Sequence, residues 1–144
     1  MKFIRFIIPE DLPDIQHILQ NTLSDWTPSI FQDCFNDHYY NWIIRDNNKP
    51  AGFITVKNNH DHWEIMQIVI DKNYQQQGLA TKLVEYTIKQ AKKLSVEKIQ
   101  LEVRRSNTAA ISLYQKCGFQ KVGIRKKYYK DGEEAILMDK THIV

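Results

Sequence analysis

The chain opens on KFIRFII, residues 2–8, a dense apolar run that predicts a buried strand. Pro9-Glu10-Asp11 then begins a helix through about Thr22, with its acidic side chains in the first turn, where the helix dipole favours them. A second helix is expected after Pro28. YYNWIIRD, AGFITVKN and HWEIMQIVID follow as three runs rich in β-branched and aromatic residues, broken by NNKP and NNHD, the pattern of an antiparallel meander. After Gly78 the period changes. Leu79, Leu83, Val84, Thr87, Ile88, Ala91 and Leu94 recur at three- and four-residue steps and describe one face of a helix about four turns long. EKIQLEV then alternates, with Ile99, Leu101 and Val103 on one face and Gln100 and Glu102 on the other. Ser106-Asn107 supplies an N-cap for a short helix through Cys117, and Gly118 stops it. Two closing strands, near 119–127 and 133–140, flank the turn KDGE.

The order β-α-α-β-β-β-α-β-α-β-β predicts an α/β (α+β) architecture, a mixed central sheet with helices on its faces. No linker or internal repeat interrupts it, so residues 1–144 are expected to form one domain, long enough to bury a core. Apolar residues at 42% and charged residues at 26% are ordinary for a folded domain and exclude disordered or fibrous classes. The start MKFIRFIIPEDL turns acidic after a few apolar residues, unlike a signal peptide, and no apolar stretch approaches ~18 residues, so a cytoplasmic location away from membranes is expected. Cys34 and Cys117 lack paired spacing and read as buried free thiols. The net charge of +3 is mild. Basic residues gather at Arg104-Arg105 and along Lys121, Arg125, Lys126, Lys127 and Lys130, a solvated face rather than a nucleic-acid stripe, since no reading motif accompanies them.

The stretch DKNYQQQGLATKL, residues 71–83, carries the first chemical signal. A loop entering a helix N-terminus offers unpaired N–H groups and a partial positive charge, so it can hold a pyrophosphate without a lysine. Gly78 and the small Ala80 would let an anion approach the backbone closely. A plain glutamine-rich turn is the other reading of the loop alone. Neither the Rossmann nor the Walker glycine pattern is present.

QQQGLA after an apolar strand, with LEVRRSNTAAISLYQKCGFQKVGIRKKYY and DGEEAILM downstream, resembles the GNAT superfamily of acetyl-CoA-dependent N-acetyltransferases, and within it the RimI-type family that acetylates the N-terminal alanine of a ribosomal protein. The resemblance covers residues 62–140 most clearly. It implies a GNAT fold of about seven strands with helices on both faces and a splayed central strand pair. By the same resemblance the backbone of Ile68, Val69 and Ile70 lines the pantetheine arm and thioester of acetyl-CoA. Gln76, Gln77, Gly78, Leu79, Ala80 and Thr81 would cradle the pyrophosphate, and Asn107 would reach the cofactor from the far strand. Gln76 stands where a cation is common and Ala80 where a second glycine is usual; the contacts are mainly to backbone, which both supply.

Glu102 is, by this resemblance, the base that takes the amine's proton and Tyr114 the acid that protonates the coenzyme's sulfur. Glu64, fourteen residues before Gly78, stands where other members of the superfamily place their base, so two carboxylates compete for one role. The bland alternatives are a surface Glu102, a core Tyr114 and an Asn107 that only caps its helix. No metal is needed, and His60-Asp61-His62 lacks partners at ligand spacing. Tyr128 and Tyr129 would wall the acceptor groove by resemblance, or pack in the core. An α-amine with pKa near ~8 needs far less help from a base than a lysine near ~10.4. The resemblance, and this chemistry with it, imply as acceptor a protein N-terminus beginning with a small residue, with Glu133 and Glu134 either meeting a cation further along the peptide or lying in a solvated turn. A small amine such as a polyamine or antibiotic is the alternative acceptor, and an acyl-CoA sensor without turnover the alternative class.

Overall fold

The computed structural model describes residues 1–22, 24 and 26–143. Its strands are β1 (Lys2–Phe6), β2 (Tyr39–Asp46), β3 (Lys49–Asn58), β4 (Trp63–Ile70), β5 (Ile99–Arg104), β6 (Gln120–Arg125) and β7 (Ala135–Lys140). Its helices are α1 (Leu12–Gln20), α2 (Pro28–Asp33), α3 (Leu79–Lys93) and α4 (Thr108–Lys116). Among the described residues the strands form a seven-stranded sheet in the order β1-β2-β3-β4-β5-β7-β6. The central neighbours β4 and β5 run parallel, the other neighbouring pairs antiparallel.

Local chemistry explains the meander. Asn47 and Asn48, at φ of 51° and 69°, both sit in the left-handed region that a two-residue hairpin between β2 and β3 requires, and asparagine tolerates it better than other side chains. One face of the sheet carries Trp42, Ile54, Val56, Trp63 and Ile65 against α3 and α4. The other carries Ile43, Phe53 and Val69 against α1 and α2. Between sheet and α2, Thr55 donates to Asn41 Oδ1 at 2.6 Å and Asn41 Nδ2 donates to the Cys34 carbonyl at 3.0 Å, so these buried polar groups satisfy one another.

One irregularity positions the site. Thr55 pairs with Gln67 but Val56 pairs with Ile65, leaving Met66 as an extra residue in β4. Such a bulge shifts the two-residue alternation by one. Trp63 and Ile65 therefore face α3, and beyond the bulge Ile68 and Ile70 do so while Val69 turns to the opposite core. The parallel pairing of β4 with β5 ends nearby, at Ile65 opposite Leu101, and the two strands part.

Three expectations are corrected. KFIRFII does not make a buried strand: β1 ends at Phe6, pairs with β2 alone at the sheet edge, and leaves Phe6 56% exposed. Leu94 is also 56% exposed, because α3 ends at Lys93 and Val96, past the turn, packs in the core instead. Cys34 is buried but Cys117 only half-buried; both thiols are free.

Candidate active site

Where β4 and β5 part, a cleft of about 950 Å³ opens, bordered by both strands, the start of α3, α4 and the loops after α1 and β6. Its β4 wall is a sheet edge without a strand partner. Ile68 N–H is met by the neighbouring Gln67 side chain at 3.1 Å, and the Ile70 carbonyl accepts from Thr22 and Gln75 side chains, each at 3.2 Å. Side chains thus occupy backbone positions that an extended ligand can take over, and strand alternation turns the Val69 amide toward β3.

The loop at the cleft's end has the geometry of an anion cradle. Gln76 and Gly78 both lie in the left-handed region, at φ of 63° and 77°. Gly78 is the N-cap of α3 and supplies no side-chain hydrogen bond to the first turn. A Cβ on Gly78 would meet no atom within 4 Å, so packing does not demand glycine there; the open space belongs to the cleft. Gln76, Gly78, Leu79, Ala80 and Thr81 border that space, whereas Gln77 does not.

On the opposite wall, Asn107 caps α4, its Oδ1 accepting from Ala110 N–H at 3.2 Å, and the same side chain borders the cleft. Tyr114 is 9% exposed, stacks edge-on against Phe119 at 5.7 Å and reaches the cleft between core and opening. Burial pushes its phenol well above the usual tyrosine value, with the Cys117 and Tyr129 side chains adding to the effect, so it holds its proton.

Glu102 extends from β5 on the face turned away from α3, and Arg125 of β6 approaches it, Nε lying 3.5 Å from its carboxylate. The Tyr128 phenol is hydrogen-bonded to Glu102, and this together with burial raises the Tyr128 pKa. Glu64, on β4, is half-buried; desolvation first and the charge of Glu102 second raise its pKa. Both carboxylates and Tyr128 border one cleft.

Glu133 and Glu134 are engaged by partners within the chain. Glu133 accepts from Arg104 at 3.1 Å and from Ser106 N–H at 2.8 Å, and Glu134 is paired with Arg105. Arg104 also binds Asp131 at 2.8 Å and lies 4.0 Å over the Tyr129 ring, which ties the loop between β6 and β7 to the end of β5. Tyr128 and Tyr129 meet edge to face at 5.0 Å beside the cleft.

Sequence reading missed the near-side wall of Thr22, Ser24, Trp26 and Gln67. Gln67 was the available signal, a polar residue inside the apolar run of β4. Between the side chains of the His60-Asp61-His62 stretch the contact is His62 to Asp61 at 2.7 Å, and among the described residues no three metal-ligating side chains gather.

A parallel strand pair that separates over a helix N-terminus, with titratable groups on the far strand, leaves a cleft open to an extended, anionic ligand. Residues 7–119 match the family model described as Acetyltransferase (GNAT) family, and the chain belongs to that family. It is an acyltransferase. The [ribosomal protein bS18]-alanine N-acetyltransferase of Escherichia coli (strain K12) is 37% identical over 142 residues, 96% of each chain. A crystal structure of the ribosomal-protein-S18-alanine N-acetyltransferase from Escherichia coli superposes with a TM-score of 0.92 at 36% identity, over 99% of this chain and 94% of that one. The NatC complex bound to Gag peptide and CoA, at 23% identity and a TM-score of 0.83 over 97% of this chain and 98% of that one, shares the fold.

Proposed function

We propose that the chain, as one acetyltransferase domain over residues 1–144, transfers the acetyl group of acetyl-CoA to the α-amine of a protein N-terminus, the N-terminus of ribosomal protein bS18 being the leading candidate. The observation that carries the reading is the cleft that holds the cradle loop at one end and Glu102, Glu64 and Tyr114 on its walls. Likeness to the bS18-alanine enzyme along nearly the whole chain supports the choice of acceptor.

Bound acetyl-CoA supplies an activated thioester. The chain's residues do the rest. N–H groups at the start of α3, with the open backbone of Gly78, hold the pyrophosphate, and Asn107 Nδ2 is the amide group left after Oδ1 has capped α4. The free edge of β4 pairs with the pantetheine arm as a strand would, and N–H of Ile68 or Ile70, rather than Val69, faces the thioester oxygen as the oxyanion donor. Glu102 takes the proton of the α-ammonium, directly or through a water, and Tyr114 returns a proton to the departing sulfur. Transfer from a phenol near ~10 to a thiolate near ~8.5 is uphill by about 2 kcal/mol in water. Burial raises the Tyr114 value, and the difference from the thiol in the same cleft decides the step.

No metal takes part in this scheme, and a cytoplasmic location suits a ribosomal acceptor; none of the described helices is long and apolar enough to cross a membrane. The test is a competition among an Ala-initiated N-terminal peptide, the same peptide with a blocked α-amine and an internal lysine, and spermidine, read by mass. Acetylation of the free α-amine is expected. Preference for spermidine or for the lysine overturns the acceptor and promotes a small-amine enzyme.

A further inference from the structure

We propose that Arg125 is a resident stand-in for the acceptor's cation, and that an acceptor reaches Glu102 by displacing it. The inference rests on the reading of this cleft as the acceptor site. Pairing between β4 and β5 ends at Leu101, so the next residue of β5, Glu102, faces the widening gap. Where the transfer to Glu102 is direct, an incoming α-ammonium stands at this carboxylate, and the Arg125 guanidinium already lies 3.5 Å from it.

The contact has the character of one made to be broken. Arg125 approaches Glu102 through Nε at 3.5 Å, with side chains 57% and 17% exposed. Arg45, by contrast, binds the buried Asp11 at 2.8 Å. Exposed pairs of the first kind contribute little to stability. Arg125 ends the edge strand β6, which pairs with β7 alone, so its side chain can swing outward without opening the core. Its guanidinium already lies 5.3 Å from the centre of the Tyr128 ring, a face on which a displaced cation can rest. The groups facing Glu102 are Glu64 from β4, Arg125 from β6 and Tyr128 just beyond it, with Lys57 of β3 and His62 before β4 acting on Glu64.

The charge balance gives the device a direction. The ammonium enters with one positive charge and displaces Arg125. Glu102 takes one proton from the ammonium, the nitrogen–carbon bond forms as the carbon–sulfur bond breaks, the sulfur receives the proton of Tyr114, and the second proton lost by the nitrogen replaces it on the Tyr114 oxygen. The product is a neutral amide that no longer competes for Glu102. Once Glu102 has returned its proton to solvent, Arg125 closes on it again and excludes the product. Arg125 is thus a positioning residue that selects cationic acceptors and clears acetylated ones.

The experiment compares Arg125→Ala, Arg125→Gln and Arg125→Lys with the wild type, using an Ala-initiated peptide and its acetylated form across about pH 6 to 9. The alanine and glutamine variants should lower the peptide KM by about three- to tenfold and strengthen inhibition by the acetylated peptide, with the KM for acetyl-CoA unchanged. Arg125→Lys should restore both readouts. A peptide KM that rises or stays put in the alanine and glutamine variants overturns the inference. Calorimetric peptide binding in a Glu102→Gln background separates it from the base assignment. There Arg125→Ala should add nothing, and an undiminished gain would place its action elsewhere and refute it. If Arg125→Ala tightens binding in the wild-type background while Glu102→Gln leaves the acid limb in place, displacement stands and the base assignment falls.

Discussion

Substituting Gly78 separates the folding of the cradle loop from its binding role. The residue sits at φ 77° and ψ 14°, and a Cβ there meets nothing within 4 Å. Gly78→Ala and Gly78→Glu therefore carry the left-handed backbone penalty without a clash, about 1 kcal/mol. With an unfolding entropy of about 2 cal/mol/K per residue, a chain of this length should lose only about 3 °C in Tm. Binding should respond far more strongly. On the proposed reading the Cβ enters space that the pyrophosphate needs, and a glutamate carboxylate about 5 Å from a phosphate oxygen adds about 1–3 kcal/mol of repulsion per charge, depending on solvent screening. The CoA affinity of Gly78→Glu should fall roughly five- to a hundredfold or more, with Gly78→Ala intermediate. Gly132, at φ 88° and equally open, provides the control: Gly132→Ala carries the same backbone penalty in the loop before β7 and should keep CoA affinity. Calorimetric titration with CoA, paired with thermal melts, reads both quantities. Unchanged CoA affinity in Gly78→Glu, with Tm within a few degrees of wild type, would refute the cradle.

Tyr114→Phe keeps the ring against Phe119, so CoA affinity should hold while kcat falls by about 10²–10⁴-fold; an unchanged kcat removes Tyr114 from the chemistry. Glu102→Gln should abolish the acid limb of the pH–rate profile while Glu64→Gln leaves it in place, and the reverse pattern would transfer the base to Glu64. Glu64 also makes a stability prediction. Its folded pKa is raised, so the fold is penalised above that pKa, and Glu64→Gln should melt higher than wild type near pH 8, the difference vanishing as pH falls below the unfolded value of about 4.3; no gain near pH 8 contradicts the burial argument. Asp11 has the opposite sign. Burial alone would raise its pKa, but hydrogen bonds from Arg5, Ile8 N–H and Arg45 hold it far below the carboxylate range, so its stabilisation is present above about pH 4 and lost as pH falls. Asp11→Ala should destabilise by about 3–5 kcal/mol in urea titrations at pH 7, and a change under 1 kcal/mol would show that the two arginines do not depend on it.

Much of this was legible from local pattern. The three- and four-residue steps after Gly78 place α3, and Ile99, Leu101 and Val103 are the buried side of β5, because each pattern is written in neighbouring residues. KFIRFII misled because apolar density does not say whether a strand has one partner or two, and β1 has one. Leu94 misled because periodicity runs on past the residue where hydrogen bonding stops. The insertion of β7 between β5 and β6 could not be read, since it depends on which edge of β5 is free after the fold has closed. The approach of Arg125 to Glu102 is hidden for the same reason: it runs from β5 past β7 to β6, and no local spacing encodes it.

The bulge at Met66 carries the argument one step further. Without the extra residue, Val69 would share a face with Trp63 and Ile65, and the apolar side chains past the midpoint of β4 would meet the wrong cores. With it, both cores close even though β4 has parted from β5, and the price of parting is a row of backbone groups without a strand partner. Here those groups are occupied by Gln67, Thr22 and Gln75 side chains, contacts that a ligand's own amides can replace one for one. A residue that widens the bulge, Met66→Pro, removes an N–H at this junction and should lower CoA affinity and Tm together. Gln67→Leu removes the side chain that satisfies Ile68 and reaches Ser24, so it should lower Tm slightly, and on the proposed reading CoA supplies its own acceptor to the Ile68 N–H and narrows the difference. A melting deficit in Gln67→Leu that saturating CoA leaves unaltered would show that the edge of β4 is not where the ligand pairs.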